Sequence, residues 1–151
     1  TSVCEKIKQR FSSDEITPEI IDTYFTGDDS VVNDPSKHEK WDRFCQRGGP
    51  SRILFGTSGA GAGVNAPDVN CVIEYGAGSS IPVSIQKFGR ACREDSSIIG
   101  DCYVITSDQM IRNHSNVVKQ GSSASSAERS RQFDFWVEWV SAKECLRNYL
   151  V

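Results

Sequence analysis

Two stretches of the chain gather residue types able to handle phosphate chemistry. The first, Gly56-Thr57-Ser58-Gly59-Ala60-Gly61-Ala62-Gly63-Val64-Asn65-Ala66-Pro67-Asp68, is dense in small residues that let a backbone approach a phosphate or a ribose. The second runs from Ser79 to Asp95 and carries Gln86, Arg90 and Arg93. Two guanidinium forks one turn apart, with a glutamine in line, could grip a polyphosphate in a way that lysines could not. The bland alternatives are a purely structural glycine turn and a solvated arginine face partnered by Glu94 and Asp95. A dinucleotide-binding reading fits less well. Its fingerprint wants G-x-G-x-x-G opening a long helix, whereas these glycines alternate and Pro67 arrives where it would break that helix. Glu74 also falls too soon to serve as the ribose acid.

The elements that must position these stretches alternate. Residues 3–11 read as a short helix, and Ile20, Ile21 and Tyr24 suit a strand. Pro35-Ser36 with Glu39 is a capping-box signature and Arg47-Gly48-Gly49-Pro50 a stop, so a helix is expected over 37–47, burying Trp41, Phe44 and Cys45. The apolar runs Arg52–Thr57 and Val69–Tyr75 read as buried strands. A helix is expected over 81–94, starting from a serine and the early Pro82. On it Ile81, Ile85, Phe88 and Cys92 share a sector of roughly 60°, and Gln86, Arg90 and Arg93 share another. Gly89 between them would let this helix sit close to a neighbour. Ile98-Ile99 and Cys102–Ile105 follow as another strand, which predicts an α/β domain with a mainly parallel sheet. The Ser-rich stretch 121–130 reads as a flexible linker to a C-terminal helical stretch that buries Phe133, Trp136, Val137 and Val140. A capping box from Ser141 to Glu144 restarts a short helix.

Composition bounds the function. The 151 residues suit one core, and 38% hydrophobic with 25% charged residues is ordinary globular usage. A formal net charge of -3 excludes free-standing DNA binding by charge alone. No apolar run reaches the roughly 18–20 residues of a membrane span, and Thr1-Ser2-Val3-Cys4-Glu5-Lys6 does not read as a basic-then-apolar signal, so neither membrane insertion nor secretion is expected. Six scattered cysteines lack metal-ligand spacing and predict a reduced intracellular setting, with His38 and His114 as surface histidines and no metal. The opening threonine and the single Met110 suggest a segment of a longer polypeptide.

Taken together, Thr57-x-x-x-Gly61-x-Gly63-Val64-Asn65-x-Pro67-Asp68-Val69 resembles motif V of superfamily 2 helicases, and Gln86-x-x-Gly89-Arg90-Ala91-x-Arg93 resembles motif VI in its RecQ-like version. Tyr24-Phe25-Thr26-Gly27 sits where that family has a Tyr-His-x-Gly element, and Trp41-x-x-Phe44 where its next helix packs. Cys145 resembles the first cysteine of the family's zinc-binding extension, although alone it closes no zinc site.

The resemblance implies a three-layer RecA-like second lobe over 1–120, its first strand missing, with 131–151 opening a helical extension. It implies Arg93 and Arg90 as arginine fingers, Gly61, Gly63 and Asn65 on the nucleotide side, and Gln86 coupling the sites. Thr57 and Ser58 would touch a DNA phosphate. ATP with Mg2+, the first RecA-like lobe and DNA would be the ligands and partners, with 3'-5' polarity and, in a eukaryote, a nuclear location. No G-x-x-x-x-G-K-[ST] is present, so the segment alone should not hydrolyse ATP. Phe25, Gly59-Ala60 and Cys92 depart from the family pattern. Two other readings stand beside it: a degenerate lobe serving as an interaction module, and an NAD-dependent oxidoreductase.

Overall fold

The computed structural model describes residues 20–24, 36–57, 66–92, 99–119, 124–143 and 145–146. They form two compact units, 1–68 and 69–151. The helix expected over 3–11 and Phe25 lie outside the described residues.

In the first unit, strand β1 (Ile21–Tyr24) pairs in parallel with β2 (Ile53–Gly56), Ile21 opposite Ile53 and Tyr24 opposite Gly56. Helix α1 (Ser36–Cys45) lies between them in sequence, where the capping signature put it, and packs on β1. It ends as expected. Gly48 takes a φ of 63°, the left-handed conformation that favours glycine, and a Cβ at Gly49 would stand 2.7 Å from the Arg43 carbonyl oxygen. Trp41 and Phe44 pack ring to ring at 6.1 Å on the half-buried face that also holds Cys45. Ile21 and Asp22 are buried on β1, with Arg43 Nε 3.8 Å from the Asp22 carboxylate.

In the second unit, β3 (Cys71–Tyr75) pairs in parallel with β4 (Asp101–Ile105), and α2 (Ile81–Phe88) crosses between them. Helices α3 (Asp108–Lys119) and α4 (Ala124–Val140) follow. The chain is thus α/β with parallel strand pairs, consistent with a fragment of a RecA-like lobe.

The core of this unit is aromatic. Phe133, Trp136 and Trp139 are all but inaccessible, and Ile81, Phe88, Val104, Ile111 and Val118 close around them. Each such side chain takes roughly 150–250 Å² out of water, about 4–6 kcal/mol before conformational entropy is subtracted. Phe133 and Trp136 stack at 6.0 Å, and Trp139 meets Phe88 at 6.3 Å.

The stretch expected to be a linker over 121–130 is helical from Ala124, because the aromatic stripe of α4 is held by the core and Ser126 is buried with it. No helix restarts at the described residues of 141–146, where Trp139 Nε1 instead donates to the Leu146 carbonyl at 2.9 Å. His114 is a core-edge residue, its ring 4.9 Å from that of Phe133. The strands are not buried on both faces: Ile73, Tyr75, Tyr103 and Ile105 are exposed together on one face of β3 and β4, and among the described residues the helices pack on the other. Ile99 is 91% exposed and outside β4.

Candidate functional site

Thr57 follows directly on β2 and is exposed in the first unit. Ser58, Gly61, Gly63 and Asn65 lie outside the described residues. The glycine-rich segment ends at a defined point, where Ala66 is buried and Asp68 adopts a φ of 60°, a conformation that aspartate tolerates better than most side chains. Arg47 Nε reaches the Asp68 carboxylate at 3.5 Å. Both side chains are well exposed, so this pair steers the chain more than it stabilises it.

In the second unit Gln86 is exposed on α2, but the helix stops at Phe88 rather than near 94. The amides of Arg90 and Ala91 bond three residues back, to Lys87 O at 3.1 Å and Phe88 O at 3.0 Å, which tightens the last turn and spends its open carbonyls. Cys92 then takes a φ of 50° and donates its amide to Val69 O at 2.7 Å. Arg90 is therefore carried by a turn tied to the chain entering β3, and not by the face of a longer helix. Arg93 lies outside the described residues. A Cβ at Gly89 would meet only carbonyls of its own helix at ordinary contact distance, so that glycine is not required by close packing against a neighbour.

The buried stripe of α2 also differs from the expected one. Ile85 is 43% exposed, while Ser84 is fully buried between Ile81 and Phe88. The reason is a polar network that the spacing of apolar residues does not reveal. Glu74 is buried on β3; Ser84 Oγ donates to its Oε2 at 2.5 Å, and Lys87 Nζ donates to its Oε1. Trp136 Nε1 of α4 in turn donates to Ser84 Oγ at 2.9 Å. A buried carboxylate is tolerable only when charge and hydrogen bonds are both met, as here. The one available signal was an acid in the middle of the apolar run Val72-Ile73-Glu74-Tyr75.

Burial pushes the Cys102 thiol above its usual range, helped by the nearby Cys71, Asp101 and Cys92 charges. Burial likewise raises Cys45, with Asp42 adding to it and a hydrogen bond from Trp41 opposing it. Among the described residues, no group of three His, Cys, Asp or Glu side chains could hold a metal ion, and no helix is long and apolar enough to cross a membrane.

Residues 29–95 match the family model of the helicase conserved C-terminal domain. The match contains both the glycine-rich segment 56–68 and the segment from Gln86 to Arg93. It supports the motor-lobe function of superfamily 1 and 2 helicases in general, and with it nucleic-acid binding.

Proposed function

We propose that this chain is the second motor lobe of an ATP-dependent, RecQ-like DNA helicase, and that it completes an ATP site only beside the first lobe of the same polypeptide. The observation that carries the reading is the helicase C-terminal match over 29–95, which spans both phosphate-handling stretches. The RecQ-like assignment rests on the wording of Gln86-x-x-Gly89-Arg90-Ala91-x-Arg93.

In this reading the lobe covers residues 1–120. Helix α4, expected to open an extension at about 131, shares the hydrophobic core of the second unit. Arg93 and Arg90 neutralise charge on the transferred phosphoryl group, a role worth about 10³–10⁵ in rate in comparable enzymes. Gly61, Gly63 and Asn65 line the nucleotide side, where an amide accepts from a ribose hydroxyl, and Gln86 links that side to the DNA side. Thr57 and Ser58 offer a hydroxyl and backbone donors to a DNA phosphate. Two described features suit these roles: Gln86 and Thr57 are exposed, and the turn bearing Arg90 is pinned by three backbone hydrogen bonds. Pre-set donors of this kind lose little freedom when an anion arrives. Bound ATP with Mg2+ supplies the phosphoryl group and its counter-charge, and the phosphate cradle belongs to the first lobe. An intracellular location, nuclear in a eukaryote, and 3'-5' polarity go with the same reading.

The test is ATP turnover by this chain alone and by a polypeptide that joins it to its first lobe. We expect none from the former and DNA-stimulated turnover from the latter. DNA-independent turnover by the isolated chain would overturn the proposal.

A further inference from the structure

We propose that Cys92 and Cys102 form a reversible redox pair that ties the turn after α2 to strand β4. Successive residues of a strand face opposite sides, so Cys102 shares a side of β4 with Val104, two positions on, which packs into the aromatic core beneath α2. Its Sγ lies 3.8 Å from Phe88 O, the same carbonyl that accepts the Ala91 amide. Gly100, two residues before Cys102, turns to that side as well: a Cβ there would stand 3.0 Å from Cys92 Sγ and 2.8 Å from the Ala91 side chain. The two sulfurs thus meet one small region, bounded by the end of α2 and the start of β4. Cys71 stands in the opposite register, on the open face with Ile73 and Tyr75, so its charge is felt at Cys102 but a bond would have to cross the sheet.

The chemistry needs a two-electron oxidant, and a peroxide is the class that suits it. The Cys92 thiolate attacks a peroxide oxygen, the O–O bond breaks, hydroxide leaves, and the sulfur becomes a sulfenic acid. The Cys102 thiolate then attacks that sulfur; the S–O bond breaks, hydroxide departs and takes up a proton, and the disulfide remains. Cys102, whose Sγ already lies against the Phe88 carbonyl at the end of α2, is the second thiol to react. A dithiol reductant reverses the step, as suits a transient bond in a reducing compartment. The tie adds a covalent cross-link to the Cys92-to-Val69 hydrogen bond that already anchors this turn.

The test is to treat the purified full-length protein with hydrogen peroxide at near-stoichiometric dose, alkylate the remaining thiols, and map the peptides without reduction. The expected product is a Cys92–Cys102 linked peptide pair, lighter by two hydrogens, with Cys71 still alkylated and the link lost after dithiothreitol. A Cys102→Ser variant should leave Cys92 as a sulfenic acid that dimedone captures. The proposal is overturned if Cys92 is recovered as free thiol, is joined to any other cysteine, or goes directly to a higher oxide in the wild-type protein. None of these outcomes depends on ATP turnover, so the pair stands or falls separately from the motor assignment.

Discussion

Trp136 and Ser84, 52 positions apart, meet through a 2.9 Å hydrogen bond from the indole N–H to the hydroxyl oxygen. The same hydroxyl donates to Glu74, so one serine joins helices α4 and α2 to strand β3. Its neighbour Lys87 grips the second oxygen of that carboxylate. The turn carrying Arg90 begins at the end of this fastened helix.

Ser84→Ala should destabilise the protein by about 1–3 kcal/mol, because it strands both a buried indole donor and a carboxylate oxygen. Trp136→Phe should cost less, since it removes the donor and keeps most of the packing. Urea unfolding monitored by circular dichroism reads both. A larger loss for the phenylalanine variant would mean that packing, and not the hydrogen bond, holds α4 in place.

Lys87→Met removes the positive partner of a carboxylate that is only 6% exposed. The lysine itself is about a quarter exposed, so the loss should be moderate, about 1–3 kcal/mol. The double variant Lys87→Met, Glu74→Leu should recover part of it, because the unpaired buried charge is gone. A double-variant cycle that is simply additive would contradict a direct Lys87–Glu74 coupling.

Gly78→Ala should be strongly disfavoured for a steric reason. An added Cβ would come 2.6 Å from Trp136 Cε2, and the indole is fixed by its own core. Overpacking of this kind costs about 1–3 kcal/mol. Gly89→Ala, whose Cβ meets only ordinary contacts, should change stability by less than about 1 kcal/mol. Thermal melts of the two variants side by side give the comparison.

The Cys102 thiol, raised above its ordinary range by burial and then by neighbouring charge, should alkylate more slowly than an unhindered cysteine at pH 8–9. The folded state holds this proton more tightly than the unfolded chain does, so its contribution is complete below the unfolded pKa and fades as pH rises through the folded one. Iodoacetamide kinetics against pH, with Cys102 followed by mass spectrometry, should show its midpoint displaced upward. A midpoint at or below that of the same cysteine in the unfolded chain would contradict the burial assigned to it.

Local signals read well where they were sufficient by themselves. The capping serine and the Gly48-Gly49 stop bounded α1 to within two residues, and the short apolar runs marked β2 and β3. What escaped depended on distant partners. The serines at the start of α4 have the composition of a linker, and only the packing of Phe133, Trp136 and Trp139 makes them helical. The buried role of Glu74 is not legible in its strand because its partners sit 10 and 13 positions away, and the donor that completes the network, Trp136, comes from α4. The end of α2 was misjudged because Gly89 and Arg90 carry no breaker as strong as proline; the stop comes from the Cys92 amide finding Val69. The likeness to a helicase C-terminal lobe was legible from the spacing of the glycine-rich and arginine-bearing stretches, both of which lie inside the match over 29–95; the roles of Thr57 and Gln86 belong to the proposal.

The most direct measurement is DNA-stimulated ATP hydrolysis by full-length protein carrying Arg93→Ala, with nucleotide affinity measured alongside. Loss of turnover by about 10³-fold or more with affinity nearly unchanged is the outcome the arginine-finger role predicts. Turnover equal to wild type would contradict it and remove the motor assignment from this chain.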